Sequence, residues 1–383
     1  MRHVEDISAR QLRSGVTDEQ TVRPRAGLEG TVRIVLHRPF DLDAMERAAS
    51  DDAGPRHYLY EVRRRTGAVV HQPVGRSTIS WRDRLLGRLL YEPAVWAQAR
   101  AVVRASRDGD IVLANDHAGF AIALLARLRR RRLRIACGLT WPTHRLVKLV
   151  GGTLRCARLI DVFTVNTAEK AGALRELLQL APEQVLVEPE QTDLKFFRPA
   201  ETRAENPRPF VYTAGREGRD YRTFCAAVES MDVDALVCAV SPSVAATKVM
   251  TVPEVIPANV VFEPLEWREF RDAYQRADVV VVPLVVRSDS PGLTVVMEAM
   301  ACGRPVVVTK LDGYIGQLVA DGFAIGAEPG DPDAMRSAIE WVLDHREEAE
   351  AMAARARDMV RERHSSELLV NAVVEKVTRL SMR

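Results

Sequence analysis

Cysteine is scarce in this sequence and scattered. Cys137, Cys156, Cys225, Cys238 and Cys302 are an odd number with no Cys-x-x-Cys pair, and several lie inside apolar runs. That pattern excludes a disulfide framework and a cysteine zinc site, and predicts buried thiols. Long hydrophobic stretches are missing too. The longest are too short to span a bilayer, and residues 1–30 are charged without an apolar signal-peptide core, which predicts a cytoplasmic protein. No P-loop, His-Glu-x-x-His motif or Ser-His-Asp order is present to support those chemistries. Two Asp-x-Asp triplets, Asp41-Leu-Asp43 and Asp232-Val-Asp234, are the only hint of a metal site. Such triplets are frequent by chance, and no metal is expected.

What is present fits a two-domain α/β protein. A chain of 383 residues with 47% hydrophobic content exceeds one ordinary core and suits two domains of α/β size. The net charge of +2 conceals an asymmetry: residues 1–200 hold 33 Lys+Arg against 23 Asp+Glu, and the remainder holds 21 against 29. The first half is therefore basic and the second acidic. No nucleic-acid motif accompanies the basic half, so no nucleic-acid partner is expected. Its densest clusters, Arg127–Arg134 and the amphipathic Trp81–Leu90, are either solvated surface or weak contacts with an anionic membrane.

Residues 1–30 are polar without periodicity and read as a loose extension. Strands are predicted at Thr31–Leu36, Ala68–Val70, Asp110–Ala114, Leu133–Cys137 and Asp161–Val165, with helical patterns between them at Ala94–Ala105 and Gly119–Arg129. This alternation argues for a parallel sheet covered on both faces, in a domain spanning residues 31–197. Ligands of such sheets sit at the carboxyl ends of the strands. There the sequence places His37-Arg-Pro-Phe-Asp41, then Asn115-Asp116-His117, then Thr140-Trp-Pro-Thr-His144. Trp141 is either a packed residue or part of a polyol site.

Residues 198–209, rich in proline and charge, read as a linker. The second domain, residues 210–365, opens with the strand Phe210–Ala214 and the turn Gly215-Arg-Glu-Gly-Arg219. Arginines after a strand hold phosphate oxygens through charge-assisted, often bidentate hydrogen bonds. Further strands are predicted at Val233–Val240, Asn259–Phe262 and Asp278–Leu284, with a helix over Glu266–Arg276. Then comes the stretch around which the chain is organised, Ser288-Asp-Ser-Pro-Gly-Leu-Thr-Val-Val-Met-Glu298 followed by Ala-Met-Ala-Cys-Gly-Arg-Pro-Val-Val-Val308. It reads as loop, helix, turn and strand. Gly292, Leu293 and Thr294 stand at the helix start, where unpaired backbone N–H groups and the helix dipole favour an anion such as a diphosphate. Glu298, a turn further in, is placed to accept hydrogen bonds from hydroxyls. Helices over Pro332–His345, Arg346–Arg363 and Ser366–Leu380 follow.

The stretch from Ser288 to Val308 resembles the donor-binding signature of retaining glycosyltransferases of family 4, which have the GT-B fold. The resemblance covers residues 185–365, including Thr192-Asp-Leu-Lys-Phe-Phe-Arg-Pro199 and Asp312–Gly322. It implies two Rossmann-like domains facing each other across a cleft, with residues 366–383 crossing back onto the first. It implies a nucleotide-diphosphate sugar, UDP- or GDP-linked, as donor substrate, and no permanently bound cofactor. By this likeness Gly215 and Arg216 serve the donor diphosphate, Arg219 stands in for a lysine with Arg222 as competitor, and Glu263–Leu265 contact the base. His117 is either a structural hydrogen-bonding residue or a donor-sugar contact. The family's first loop often carries a glycine pair, absent here, and its first signature glutamate is replaced by Ser290 beside Asp289. One of those two is expected to reach the sugar hydroxyls. The implied activity is sugar transfer with retention and without metal, to a glycan, a lipid-linked intermediate or a natural-product scaffold. The alternatives are a GT-B enzyme of another class, such as a nucleotide-sugar epimerase, or a non-catalytic nucleotide-sugar-binding module.

Overall fold

The computed structural model describes residues 29–382 apart from 90, 141–146, 154, 203–204, 240–249 and 287–291. The expected N-terminal extension up to residue 28, the Trp141–His144 segment, and Asp289 and Ser290 lie outside the described residues.

Two six-stranded parallel sheets organise the chain. The first contains β1 (Val32–Val35), β2 (Val69–His71), β3 (Ile111–Asn115), β4 (Arg134–Gly138), β5 (Val162–Val165) and β6 (Val185–Val187), in the order β2-β1-β3-β4-β5-β6. The second half contributes β7 (Phe210–Ala214), β8 (Arg219–Asp220), β9 (Asp234–Cys238), β10 (Met250–Thr251), β11 (Val260–Phe262), β12 (Val279–Val282), β13 (Val306–Thr309) and β14 (Ile325–Ala327). Its main sheet runs β11-β9-β7-β12-β13-β14, and the two-residue strands β8 and β10 pair separately. Among its six strands, counted in chain order, this is the 3-2-1-4-5-6 arrangement of a dinucleotide-binding fold.

Side-chain alternation explains why these strands lie in the middle. Tyr212, Val280, Val282, Val306 and Val308 join the apolar cluster on one face of the second sheet. Val211, Val279, Val281 and Val307 join the cluster on the other face. All four valines of β12 are fully buried, each contributing roughly 1.5–3 kcal/mol relative to exposure. A strand of unbroken valine is therefore stable only with helices on both sides. Leu293–Ala301 supplies cover on the first face, and Tyr221–Val228 with Pro332–Asp344 on the second. All five cysteines are buried free thiols.

The helix Ser366–Ser381 crosses back onto the first sheet. Val370, Val373, Val377 and Leu380 lie in one apolar cluster with Val32, Ile34, Ile111 and Val162. Lys376 Nζ reaches Glu188 Oε1 at 2.6 Å, both side chains largely buried. The crossing is stitched to the interdomain segment by a bridge between Thr192 and Ser365, and by the His364 ring, whose Nδ1 lies 2.6 Å from the Glu190 carbonyl oxygen. A second tie joins the halves: Asp52 pairs with Arg198 at 2.9 Å and with Arg271 at 2.8 Å, which holds its carboxyl down at about 2.

The helix expected to begin at Gly119 begins at Asp116. Its first turn is polar and faces the strand ends, so the apolar periodicity starts a turn later than the backbone does. The two Asp-x-Asp triplets have structural roles. Asp41 caps the helix Leu42–Ser50, Asp43 pairs with Arg63, and Asp232 and Asp234 both pair with Arg208.

Candidate functional site

In open parallel sheets the ligand crevice lies where strand order reverses, outside the carboxyl ends. In the second sheet that point falls between β7 and β12. The turn after β7 contains Gly215, Arg216 and Arg219. The loop after β12 leads to Gly292, Leu293 and Thr294. Short pairings hold the two loops together: Asp220 N donates to the Pro283 carbonyl at 3.0 Å, and Val285 N to that of Gly218 at 3.0 Å.

Both glycines are required by their backbone. Gly215 has φ 101° and Gly292 φ 98°, in the left-handed region. A Cβ on Gly215 would stand 2.2 Å from Arg219 Nη2, and one on Gly292 would stand 3.0 Å from Leu284 and 3.1 Å from Val282. Gly292 is also the N-terminal cap of the helix Leu293–Ala301 and supplies no side-chain acceptor, so the first N–H groups of that helix are left for other partners.

Arg219 is buried beneath the two glycines. Its Nε donates to the Ala214 carbonyl and its Nη1 to the Glu217 carbonyl, both at 2.8 Å. Burial draws its pKa down, against the pull of Tyr221, Tyr274 and Glu298. Tyr221 Oη donates to the Gly215 carbonyl and holds the same turn from below. Arg219 thus forms the floor of the crevice, with part of its guanidinium already committed to carbonyls. Arg216 differs. It is half-buried, and among the described residues its Nε has no hydrogen-bond partner. An arginine with an unsatisfied donor in the turn after a strand suits an anion. Arg222, the competing candidate, is exposed on the helix Tyr221–Val228.

Glu298 lies one turn inside the helix and is 7% exposed. Its Oε2 accepts from Tyr274 Oη at 2.9 Å. Burial raises its pKa to about 8; the Tyr274 hydrogen bond and the Arg219 charge act against the rise, and Glu190 adds to it. Thr294 Oγ1 donates at 3.0 Å to Glu190 Oε1 from the interdomain segment. Burial pushes the Glu190 carboxyl up as well. Neither Tyr274 nor Glu190 was singled out in the sequence. Tyr274 has a helical core position indistinguishable from any other, and Glu190 lies in an irregular segment with no periodicity to read.

Strand order in the first sheet reverses between β1 and β3. Their carboxyl ends carry His37 and Asn115-Asp116-His117. His117 stacks on Tyr91, ring centroids 4.2 Å apart. Asp116 takes φ 46° and accepts from Thr140 N at 2.8 Å. The structure therefore gathers Gly215, Gly292 and Glu298 around Arg219, with Arg216 in the same turn as Gly215 and with Leu293 and Thr294 at the start of the helix that carries Glu298, and it places His117 at the corresponding edge of the other domain.

Residues 227–345 match the family model described as Glycosyl transferases group 1. The second half of the chain carries a glycosyl transferases group 1 domain. The match contains Gly292, Thr294 and Glu298 and begins after Arg219, so the assignment of Gly215, Arg216 and Arg219 rests on the crevice geometry. A D-inositol 3-phosphate glycosyltransferase of Catenulispora acidiphila is 38% identical over 86 residues, which are 21% of this chain and 18% of that protein. The chain spans about a fifth of the length of the curated relatives it matches. Among solved structures, sucrose-phosphate synthase of Thermosynechococcus elongatus aligns with TM-score 0.64 at 16% identity, over 92% of this chain and 99% of its own. HepE of Anabaena, solved with UDP-glucose, aligns with TM-score 0.62 at 14% identity, over 92% and 100%. These likenesses extend well beyond the group 1 domain and include the first sheet: the fold is GT-B.

Proposed function

We propose that this protein is a glycosyltransferase that moves a sugar from a nucleotide-diphosphate sugar to an acceptor. The observation that carries the reading is the crevice between β7 and β12. There two left-handed glycines shape the facing turns, Gly215 buried and Gly292 partly exposed; the N-terminus of Leu293–Ala301 and the Nε of Arg216, unpaired among the described residues, suit a diphosphate, and Glu298 lies one turn deeper to receive hydroxyls. The group 1 match over the same helix supports it. A UDP-sugar is the favoured donor and a GDP-sugar the second, since HepE was solved with UDP-glucose.

In the reaction the bond from the anomeric carbon to the β-phosphate oxygen breaks, and a bond to an acceptor oxygen forms on the same face. The acceptor proton passes to the leaving diphosphate, so configuration is retained and neither a protein nucleophile nor a metal takes part. Arg216 and the helix N-terminus stabilise the negative charge that grows on the leaving group. Arg219 shapes the floor and adds positive potential. Asp289 or Ser290 holds the sugar hydroxyls, and His117 approaches the sugar from the first domain. The acceptor, a glycan, a lipid-linked intermediate or a natural-product scaffold, is selected by the first domain, at the edge carrying His37 and Asp116. The protein works in the cytoplasm, with peripheral membrane contact through its basic half. Among the described residues no helix is long and apolar enough to cross a membrane.

The test is a thermal-shift screen of UDP, GDP, TDP and ADP and their sugars against wild type, Arg216→Ala and Glu298→Ala. A ligand that binds only the folded state raises the melting temperature by mass action. Stabilisation of the wild type by one nucleotide, lost in both variants, supports the donor site and opens an acceptor screen by mass spectrometry. Equal shifts in all three proteins would remove these residues from it. Loss of one or two charge-assisted hydrogen bonds in Arg216→Ala predicts about 10- to 100-fold weaker binding.

A further inference from the structure

The arginine cluster of the first domain has no part in the crevice. Arg127, at the end of the helix Asp116–Leu128, and Arg130, Arg131 and Arg132, in the turn that follows, line a cavity of about 630 Å³. Arg158 enters the same cavity from the separate short helix Cys156–Leu159. The volume falls in the range of small-molecule sites, roughly 300–1,000 Å³.

Among the described residues counter-charge is nearly absent. Asp161 is the carboxylate on the lining, and its Oδ2 accepts from Ile135 N at 2.7 Å. Asp108 Oδ1 lies 4.0 Å from Arg131 Nη1. Among the described residues no carboxylate pairs with Arg127, Arg130, Arg132 or Arg158. Complementing the carbonyl end of one helix takes one or two cations within its last turn, and Arg127 meets that need. It leaves Arg158 and the turn arginines unexplained.

Topology separates this cavity from the cleft. All strands of the first sheet run parallel, and the cavity is bounded by Leu133 and Ile135 at the start of β4, by Asp161 just before β5 and by Gln184 just before β6. These are amino ends. His37, His117 and Glu190 stand at the carboxyl ends, across the thickness of the domain.

We propose that this cavity is a second ligand site, which binds a small molecule or headgroup carrying more than one phosphate. Guanidinium forks match phosphate oxygens two at a time, and forks arriving from two elements surround a multiply charged ligand better than a single carboxylate. Convergence of like charges in one concavity also raises the local concentration of such anions.

Two probes test it: inositol hexakisphosphate by calorimetry, and co-sedimentation with phosphatidylcholine vesicles with and without phosphatidylinositol phosphate. Each is applied to wild type, to Arg127→Gln/Arg158→Gln, and to Arg47→Gln/Arg76→Gln, which removes the same charge from another exposed part of the domain, outside both basic clusters. The expected result is binding that weakens about tenfold or more in the first variant, stays near wild type in the second, and is not displaced by excess UDP. Binding of the soluble probe alone assigns a free polyphosphate, and binding to the phosphoinositide vesicles alone assigns a lipid headgroup; either supports the site. Equal weakening in both variants means a diffuse charge effect and overturns it, as does failure of the wild type to bind either probe. Displacement by UDP places the anion in the cleft and also overturns it.

Discussion

The buried carboxyl of Glu298 makes a quantitative demand on stability. Its pKa moves from 4.5 to about 8 in the folded protein. The native state therefore keeps a proton that the unfolded chain has released, so the stabilisation is complete below pH 4.5 and is lost as pH rises through 8. Across the whole interval this amounts to at most about 5 kcal/mol, at 1.36 kcal/mol per pH unit. Below pH 6.5 the signal overlaps an opposite one. His57 and His71 are each lowered to about 4, chiefly by burial, so the unfolded chain binds protons there that the native state refuses, and stability rises with pH up to 6.5. Between pH 6.5 and 8 the tail of the histidine titration is the same in wild type and in a Glu298 variant, and Glu298 itself accounts for a fall of about 2 kcal/mol. Glu298→Gln keeps the shape, leaves an acceptor for Tyr274 and removes the titration. Urea unfolding of both proteins at pH 6.5 and pH 8.5, followed by tryptophan fluorescence, measures the difference. The wild type should lose about 2 kcal/mol more than the variant across that step. Glu190 is present in both, and its effect on Glu298 is already contained in the raised value. Parallel pH profiles would refute the reasoning, because the carboxyl would then be ionised in the folded protein at neutral pH.

Other outcomes follow from the same geometry. Gly215→Ala should cost about 1–3 kcal/mol from its left-handed backbone, displace Arg219, and abolish the nucleotide-induced thermal shift even at temperatures where the variant is folded. Asp52→Ala removes the pair that ties Arg198 and Arg271 to the first domain; because the carboxyl is 43% exposed, equilibrium unfolding should report a loss of about 1 kcal/mol or less. That contribution is present above pH 3.8 and is lost as pH falls through about 2. Lys376→Met strands the largely buried Glu188 and should destabilise the first domain by about 3–5 kcal/mol, whereas Lys376→Met with Glu188→Leu should recover much of the loss in the same denaturation experiment.

Period and spacing made most of the architecture legible. The helix Arg346–Arg363 follows its sequence pattern to the residue, and β12 announces itself as an unbroken apolar run. Gly292 could be placed at a helix start because Pro-Gly breaks regular structure just before a run of helix formers. Partnerships across the fold were not legible. Tyr274 meets Glu298 only because the helix Trp267–Arg276 lies against Leu293–Ala301, and Glu190 meets Thr294 only when the interdomain segment closes over the second sheet. Neither contact has a local spacing. The commitment of Arg219 to the Ala214 and Glu217 carbonyls was hidden for the same reason: a Gly-Arg turn shows cations near a strand end, not which of them faces outward.

The return of Ser366–Ser381 to the first sheet has a consequence for biosynthesis. Val373 and Val377 seal a face whose other members, Val32, Ile34 and Ile111, are translated more than two hundred and fifty residues earlier. While the second sheet is being made, that face is an open apolar surface, and Glu188 waits without its lysine. The usual order, in which the amino-terminal domain is finished first on the ribosome, is thereby inverted: the second domain can complete its core while the first is still unsealed. The interval in which this chain is most exposed to chaperones and to aggregation accordingly lasts until Ser366–Ser381 has been made.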